Sequence, residues 1–308
     1  MRAGTAPPRE RARRRTAAIR RSRGRAALFI LPGMFFYIGF LIIPLVGTVA
    51  LSFTSWDGFS YTDIPFNGVR NYAGLAQDPV FWQSLWHNAV FVVSSVVLKS
   101  VLALMLALAI RRAFPGSGAF RGIFVIPSTL SLVVLGILVK FFLDPNNGLI
   151  NPLLRAVGLG HFAGAWLGDP HRALPSMILL DVWIGFGLPL FVFLSSMASL
   201  PADVYEAARV DGAAPWQETL FITIPMLGPA IRLVLLLTAI DSLKVFATVY
   251  VATGGGPDHA TEVLSTWAYF QAFTANKVGY SSAILTVLLV LTLILAIFYV
   301  RANAKEQR

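Results

Sequence analysis

Read for polarity alone, the chain is a series of long apolar runs separated by shorter polar stretches. The runs fall near 27–52, 88–110, 123–143, 177–200, 226–251 and 281–300. Each is roughly 20 residues or longer, the length that crosses a hydrocarbon core of about 30 Å at about 1.5 Å per residue. The pattern predicts an all-α polytopic membrane protein with six transmembrane helices. An even number of crossings puts both termini on one side, together with the connections 111–122 and 201–225; segments 53–87, 144–176 and 252–280 then lie on the other.

The polar stretch 201–225 differs from the other connections in carrying helix signals throughout. Pro201 suits a first helical position, and Asp203 and Glu206 lie where a helix N-terminus favours negative charge. Ala207 and Ala208 give a smooth face, and Asp211-Gly212 can end the helix, because glycine alone adopts positive φ freely. Pro215 can open a second helix, with Trp216, Leu220, Phe221 and Ile224 as its apolar face, before Pro225 leads back into the membrane. The segment is therefore a helix, turn, helix elbow; an amphipathic loop lying on the bilayer surface fits these residues equally well.

Charge orients the spans. Ten arginines crowd residues 1–25, and Arg111, Arg112, Arg121, Arg209, Arg301, Lys305 and Arg308 fall on the same side, against Arg70, Arg155, Arg172 and Lys277 opposite. The side richer in arginine and lysine is cytoplasmic, so both termini and the elbow are expected inside a plasma membrane of bacterial type. The opposite loops hold Trp56, Tyr61, Tyr72, Trp82, Trp86, Trp166, Trp267, Tyr269 and Tyr280, as an interfacial belt would. Residues 1–26 read as a disordered, arginine-rich cytoplasmic tail facing anionic lipid rather than nucleic acid, 27–302 as the transmembrane domain and 303–308 as a short cytoplasmic tail. Composition agrees: 56% of residues are hydrophobic and 13% charged, too apolar for a soluble domain of 308 residues. Cysteine is absent, which removes disulfides and thiol-based metal sites.

No phosphate-binding glycine loop of the G-x-x-x-x-G-K-[ST] type is present; Gly116-Ser117-Gly118 is a short hinge with no preceding strand. His87, His161, His171 and His259 lack metal-ligand spacing, and nothing nominates a catalytic residue, a metal or a cofactor. Ionisable residues inside apolar runs are costly and therefore functional or paired. Asp241 and Lys244 share a helical face, as an intramembrane pair or as part of a polar pathway. Lys99 lies mid-span, Asp181 near the outer end of its span, and Lys140 can snorkel outward. Trp183, Phe186, Phe246 and Tyr250 could stack on a sugar ring or simply pack between helices. After the fifth run, Thr253-Gly254-Gly255-Gly256-Pro257 reads as a flexible outer turn.

Glu206-Ala207-Ala208, Gly212, Ile222 and Pro225 resemble the EAA loop of binding-protein-dependent ABC importer permeases: EAA, three residues, G, nine residues, I, one residue, L-P, with Ile224 in place of the leucine. The stretch Val249 to Pro257, then Thr261 and Gly279-Tyr280-Ser281-Ser282-Ala283, is similar to that family's carbohydrate-uptake branch, that of the maltose and glycerol-3-phosphate permease subunits. Arg121 with Pro127 and Gly148 with Asn151 add smaller matches. The resemblance implies a transport subunit rather than an enzyme, with ATP hydrolysed on a separate subunit. Its implied partners are a second, non-identical permease, two copies of a cytoplasmic ATPase, an extracytoplasmic solute-binding protein and a sugar-like substrate. It makes the elbow, through Glu206, Ala207, Ala208, Asp211, Gly212, Ile222 and Pro225, a cytoplasmic coupling helix, and turns Thr253, Gly255, Gly256 and Pro257 towards the binding protein. Competing expectations are an ABC permease for another small solute, a proton-coupled carrier working through Asp241 and Lys244, and an integral-membrane enzyme; the absence of clustered catalytic groups weighs against the last.

Overall fold

The computed structural model describes residues 30–60, 62, 64–110 and 117–304; the expected basic tail, Arg111, Arg112 and Gly116 lie outside this range, as do Lys305 and Arg308. Among the described residues the chain is helical, with an isolated bridge between Thr54 and Phe66 as its β structure. The described residues up to 51 and those from 52 onward form two units. In the first, α1 (Ile30–Leu51) has 22 residues, about 33 Å of helix, enough to cross a bilayer. One π-type turn, Ile38–Ile42, interrupts it.

The second unit is organised around α3 (Pro79–Ile110), which follows the short α2 (Arg70–Gln77). The apolar run predicted a start near 88, but the helix begins nine residues earlier in sequence, at Pro79. The reason is local: Asp78 Oδ1 accepts from the backbone N–H groups of Val80 (2.9 Å) and Phe81 (3.2 Å), and Pro79 occupies the first helical position. Its buried face carries a stripe of small and polar residues, Ser84, Asn88, Ser95, Lys99, Ala103 and Ala107, spaced by one helical turn except where Phe91 intervenes between Asn88 and Ser95. Small side chains let neighbouring helices approach closely where lipid supplies no hydrophobic drive. Four later helices pack against this stripe: α7 (Pro170–Gly185), α8 (Gly187–Ala198), α11 (Gly228–Leu243) and α13 (Leu264–Phe273).

Among the described residues three helices are long and apolar enough to cross a membrane singly: α1, α3 and the last, α14 (Val278–Ala304). The other three expected spans are present as broken elements. Residues 123–143 divide into α4 (Ser117–Thr129) and α5 (Leu132–Phe142), with Pro127 inside the end of α4. Residues 177–200 become α7 and α8, bent by 41° around Phe186. The elbow's second helix, α10 (Pro215–Met226), turns by 64° into α11 at Leu227, ahead of Gly228-Pro229.

The expected fifth span, 226–251, needs a correction. Helix α11 stops at Leu243, residues 244–246 are unwound, and α12 (Ala247–Ala252) packs on α5. No glycine or proline marks this break. Side chains from other helices satisfy the backbone groups it frees: Asn88 Nδ2 donates to Leu243 O (3.2 Å), and the Ser265 hydroxyl donates to Val245 O. Asn88 Oδ1 also accepts from Leu264 N (3.1 Å) at the start of α13, so one buried amide ties two helix ends to α3. Backbone polar groups at membrane depth need such partners, and the unwound turn exists because α3 and α13 supply them.

Three core clusters follow from this packing. One joins Phe91, Leu135, Met177, Val249 and Val263; a second joins Ala103, Phe186, Phe193, Leu227 and Val234; a third joins Leu75, Phe81, Leu264, Trp267 and Ile284. The expected aromatic belt divides. Trp82 and Trp86 are exposed, but Trp267 Nε1 and the Tyr280 hydroxyl donate to Asp78 Oδ2 (3.0 and 2.8 Å), and Trp166 Nε1 donates to buried Asn151 (2.8 Å). Beyond α5 lie α6 (Ile150–Ala156) and the segment to α7, held by Asn151, whose amide also bonds the carbonyls of Pro145 and Gly164.

Candidate functional site

The elbow's first helix is α9 (Ala202–Val210), with Pro201 as an extended residue before it rather than as its first helical residue. Asp203 lies in the first turn and Arg209 in the last, each the sign that the helix dipole favours. The helix ends in a six-to-one bond from Ala213 N to Ala208 O (2.9 Å) and a five-to-two bond from Gly212 N to Arg209 O (3.1 Å). That closure puts Gly212 in the left-handed region, at φ +82°, where side-chain-bearing residues are strained. Pro215 then starts α10, and Gln217 Oε1 caps the Ala214 N–H (2.7 Å).

The two arms are tied by contacts that the residue pattern did not disclose. Arg209 Nε donates to Glu218 Oε1 (3.0 Å), with Glu218 only 3% exposed. The Tyr205 hydroxyl meets Thr223 Oγ1 (3.0 Å) at the end of a π-type stretch, Glu218–Thr223. The hydrogen bond from Arg209 to Glu218, aided by the carboxylate's charge, raises the pKa of the Arg209 guanidinium above its ordinary value. The elbow is therefore a preformed wedge. Its outer surface presents Glu206, Ala207, Asp211 and Gly212, with Val210 87% exposed and Trp216 and Phe221 also open. Glu206 makes no ion pair among the described residues. A hollow of about 350 Å³ opens between the turn and the second arm, lined by Asp211, Gly212, Ala213, Gln217, Phe221 and Ile222. Ile222 thus faces the turn, whereas Pro225 is exposed near the bend into α11.

A second feature lies between α7, α8 and α11. A cavity of about 470 Å³, within the usual size range of small-molecule sites, is lined largely by apolar residues such as Leu130, Leu188, Val192 and Leu237. Its polar members include Ser128, Thr238, Asp241 and Lys244. Asp241 and Lys244 thus share one cavity wall, but their side chains form no ion pair. Asp241 Oδ2 lies instead 3.5 Å from Lys99 Nζ, and Asp181 Oδ2 is 2.8 Å from the same nitrogen. Lys99 also donates to Ser242 Oγ (3.4 Å). Of the two expectations for Asp241 and Lys244, the ion pair is not formed: Lys99 enters from α3 between the carboxylates of Asp181 and Asp241, while Lys244 caps the end of α11 on the cavity wall. A lone cation in one apolar run and lone carboxylates in two others was the signal available, since buried charges must be paired.

Of the aromatic candidates, Phe186 is buried in the core and Trp183 is half exposed. Phe246 stacks on Tyr250 with ring centroids 5.3 Å apart, and both rings meet Tyr269 of α13. The turn at Thr253–Pro257, expected to be flexible, is a dense hydrogen-bonded loop. The Thr253 and Thr261 hydroxyls are 2.7 Å apart, Thr261 Oγ1 donates to Gly256 O (2.7 Å), and Gly256 N donates to Thr253 O (3.1 Å). Gly254 and Gly255 have positive φ, the Gly256-Pro257 bond is cis, and buried Glu262 pairs with His259 (3.1 Å) beneath them.

Comparison with known proteins agrees with this architecture. The profile described as "Binding-protein-dependent transport system inner membrane component" matches residues 99–307. A probable ABC transporter permease protein of Bacillus subtilis, YurN, is 37% identical over 276 residues, covering 89% of this chain and 94% of that protein. The trehalose/maltose transport system permease protein MalF of Thermococcus litoralis is 33% identical, covering 90% and 92%. A solved bacterial ABC transporter involved in import of the acidic polysaccharide alginate contains a chain with the same fold: TM-score 0.80, 24% identity, 96% of this chain and all of that one. With a matching profile over two thirds of its length and relatives aligned along most of the remainder, the chain belongs to the family of binding-protein-dependent transport system inner membrane components.

Proposed function

We propose that the chain is one permease subunit of an ATP-driven importer, forming half of the pathway for a sugar or sugar derivative that an extracytoplasmic binding protein delivers. The observation that carries this is the elbow: a preformed wedge with an exposed small-residue face, in a chain that has no phosphate-binding loop of its own. A permease without a nucleotide site must receive its driving force through a rigid contact, and coupling is then differential stabilisation of inward-open and outward-open states.

In this reading Glu206, Ala207, Ala208, Asp211, Gly212, Ile222 and Pro225 form or support the surface that docks on one of two ATPase copies. A second, non-identical permease completes the pathway. Asp241 and Lys244 belong to this chain's share of it, and Thr253, Gly255, Gly256 and Pro257 face the binding protein. Both termini lie in the cytoplasm, because the basic residues of the tails and elbow share one side. The relative named for trehalose/maltose transport supports a sugar as the cargo.

The test is to co-express the chain with its ATPase, purify through a tag on the permease, and measure retained ATPase and binding-protein-stimulated hydrolysis. Gly212→Val is expected to insert normally and lose both, while Glu206→Ala loses part of the stimulation. A Gly212→Val protein that holds and stimulates the ATPase like the parent would sink the coupling role of the elbow.

A further inference from the structure

Lys99 is the most completely buried charge in the described structure, with 0% of its side chain exposed, and its partners come from two other helices. Its three ammonium protons match three acceptors: Asp181 on α7 at 2.8 Å, Asp241 on α11 at 3.5 Å, and Ser242 Oγ at 3.4 Å. Asp181 is nearly enclosed, whereas Asp241 is 74% exposed and lines the cavity. Room for the lysine comes from Gly185 at the end of α7: a Cβ there would lie 2.6 Å from Lys99 Cε and 2.7 Å from Nζ. Lys244, also on the cavity wall, supplies the remaining charge. The two cations and two carboxylates around this cavity therefore cancel.

We infer that Lys99 is a positioning residue that keeps the cavity electrically neutral and holds the Asp241 carboxylate as a hydrogen-bond acceptor for hydroxyl groups, so that the solute accepted is an uncharged polyol and not a uronate or an amino sugar. This rests on the proposed pathway running through the cavity. An unpaired carboxylate pair would draw cations into a low-dielectric chamber, and an unpaired lysine would draw anions. With Lys99 between them, Asp241 keeps oxygen lone pairs facing the cavity without a net field, the arrangement that suits neutral, hydroxyl-rich ligands.

The chain has no native cysteine, which allows a charge measurement inside the cavity. Leu188→Cys and Leu237→Cys place single thiols on its wall. In membrane vesicles containing the full chain, the rate of reaction is measured with a cationic and an anionic methanethiosulfonate, relative to a free thiol in the same buffer. The parent background is expected to show no preference. Lys99→Met should tip the ratio about tenfold towards the cationic reagent, Asp181→Asn about tenfold towards the anionic one, and Lys99→Met with Asp181→Asn should return it to parent. A purely structural lysine would not give these opposite shifts or the return. Unchanged ratios in both single variants overturn the inference, and Asp181→Asn alone decides if Lys99→Met fails to accumulate. Failure of both thiols to react with either reagent would mean a dry cavity, which overturns the pathway reading itself. Uptake by the assembled importer is then compared for maltose, diacetylchitobiose, a disaccharide of glucosamine and a uronate disaccharide. Accumulation of neutral sugars alone is expected; accumulation of the uronate or the amine sugar by the parent overturns the class assignment, and uptake of none of them overturns the sugar reading on which it rests.

Discussion

Two glycines in this chain are required for different reasons, and substitution separates them. At Gly212 an added Cβ would meet nothing within 4 Å, so the only obstacle is the backbone at φ +82°. The left-handed conformation costs a side-chain-bearing residue roughly 1–2 kcal/mol, and asparagine tolerates it best. Gly212→Asn should therefore retain most ATPase binding where Gly212→Val loses it, a graded outcome read from the amount of ATPase that co-purifies. At Gly185 the obstacle is Lys99 itself, since the added carbon would overlap Cε and Nζ. Gly185→Ala should lower the unfolding temperature of the detergent-purified protein, and the loss should shrink in a Lys99→Met background, where the flexible uncharged chain can move aside. Equal losses in both backgrounds would show that Gly185 matters for the bend and not for the lysine. The Arg209 and Glu218 pair adds a third case. Arg209→Met removes a cation from beside a carboxylate that is 3% exposed, so proteolytic cleavage within the elbow should accelerate more than in Glu218→Gln, which removes the buried charge as well.

Among the elements, the break after α11 has the plainest physical account. Unwinding residues 244–246 leaves carbonyls that need donors, and Asn88 and Ser265 supply them. Asn88→Leu deprives Leu243 O and Leu264 N of their partner at once. A buried backbone group left unsatisfied costs about 1–3 kcal/mol, so the variant should be clearly less stable to heat in detergent. Asn88→Asp keeps an acceptor for Leu264 N but sets a buried carboxylate against Leu243 O, and is expected to destabilise at least as much. Much at this scale was legible beforehand. The elbow's two helices, its turn and the proline that opens its second arm are all encoded by residues within a few positions of one another. The break at 244–246 was not, because neither glycine nor proline marks it and its stabilising groups lie on α3 and α13.

At the scale of the whole molecule, the distribution of basic residues predicts which face is cytoplasmic, and the absence of native cysteine permits a direct check. Asn147→Cys, exposed between α5 and α6, should react with an impermeant thiol reagent added to intact cells. Asp211→Cys, exposed at the elbow's turn, should react only after permeabilisation. Glu218 would be a poor reporter for the inner face because its side chain is buried against Arg209. The reverse pattern of labelling would invert the topology and remove the elbow from the cytoplasm.

The apolar runs, the side richer in arginine and the elbow's turn could all be read from the linear chain, because transfer of apolar residues into lipid and closure of a helix at glycine depend on composition and near neighbours. What the chain could not disclose alone is which ionisable groups meet. Lys99 reaches Ser242 across 143 positions, Asn88 reaches Leu264 across 176, and Asp181 and Ser242 are 61 apart. Several apolar helices of similar composition can be rotated and stacked in many ways at nearly equal hydrophobic free energy. Only packing of the small-residue stripe of α3 against α7, α8, α11 and α13 selects the arrangement in which a buried lysine has two carboxylates to meet.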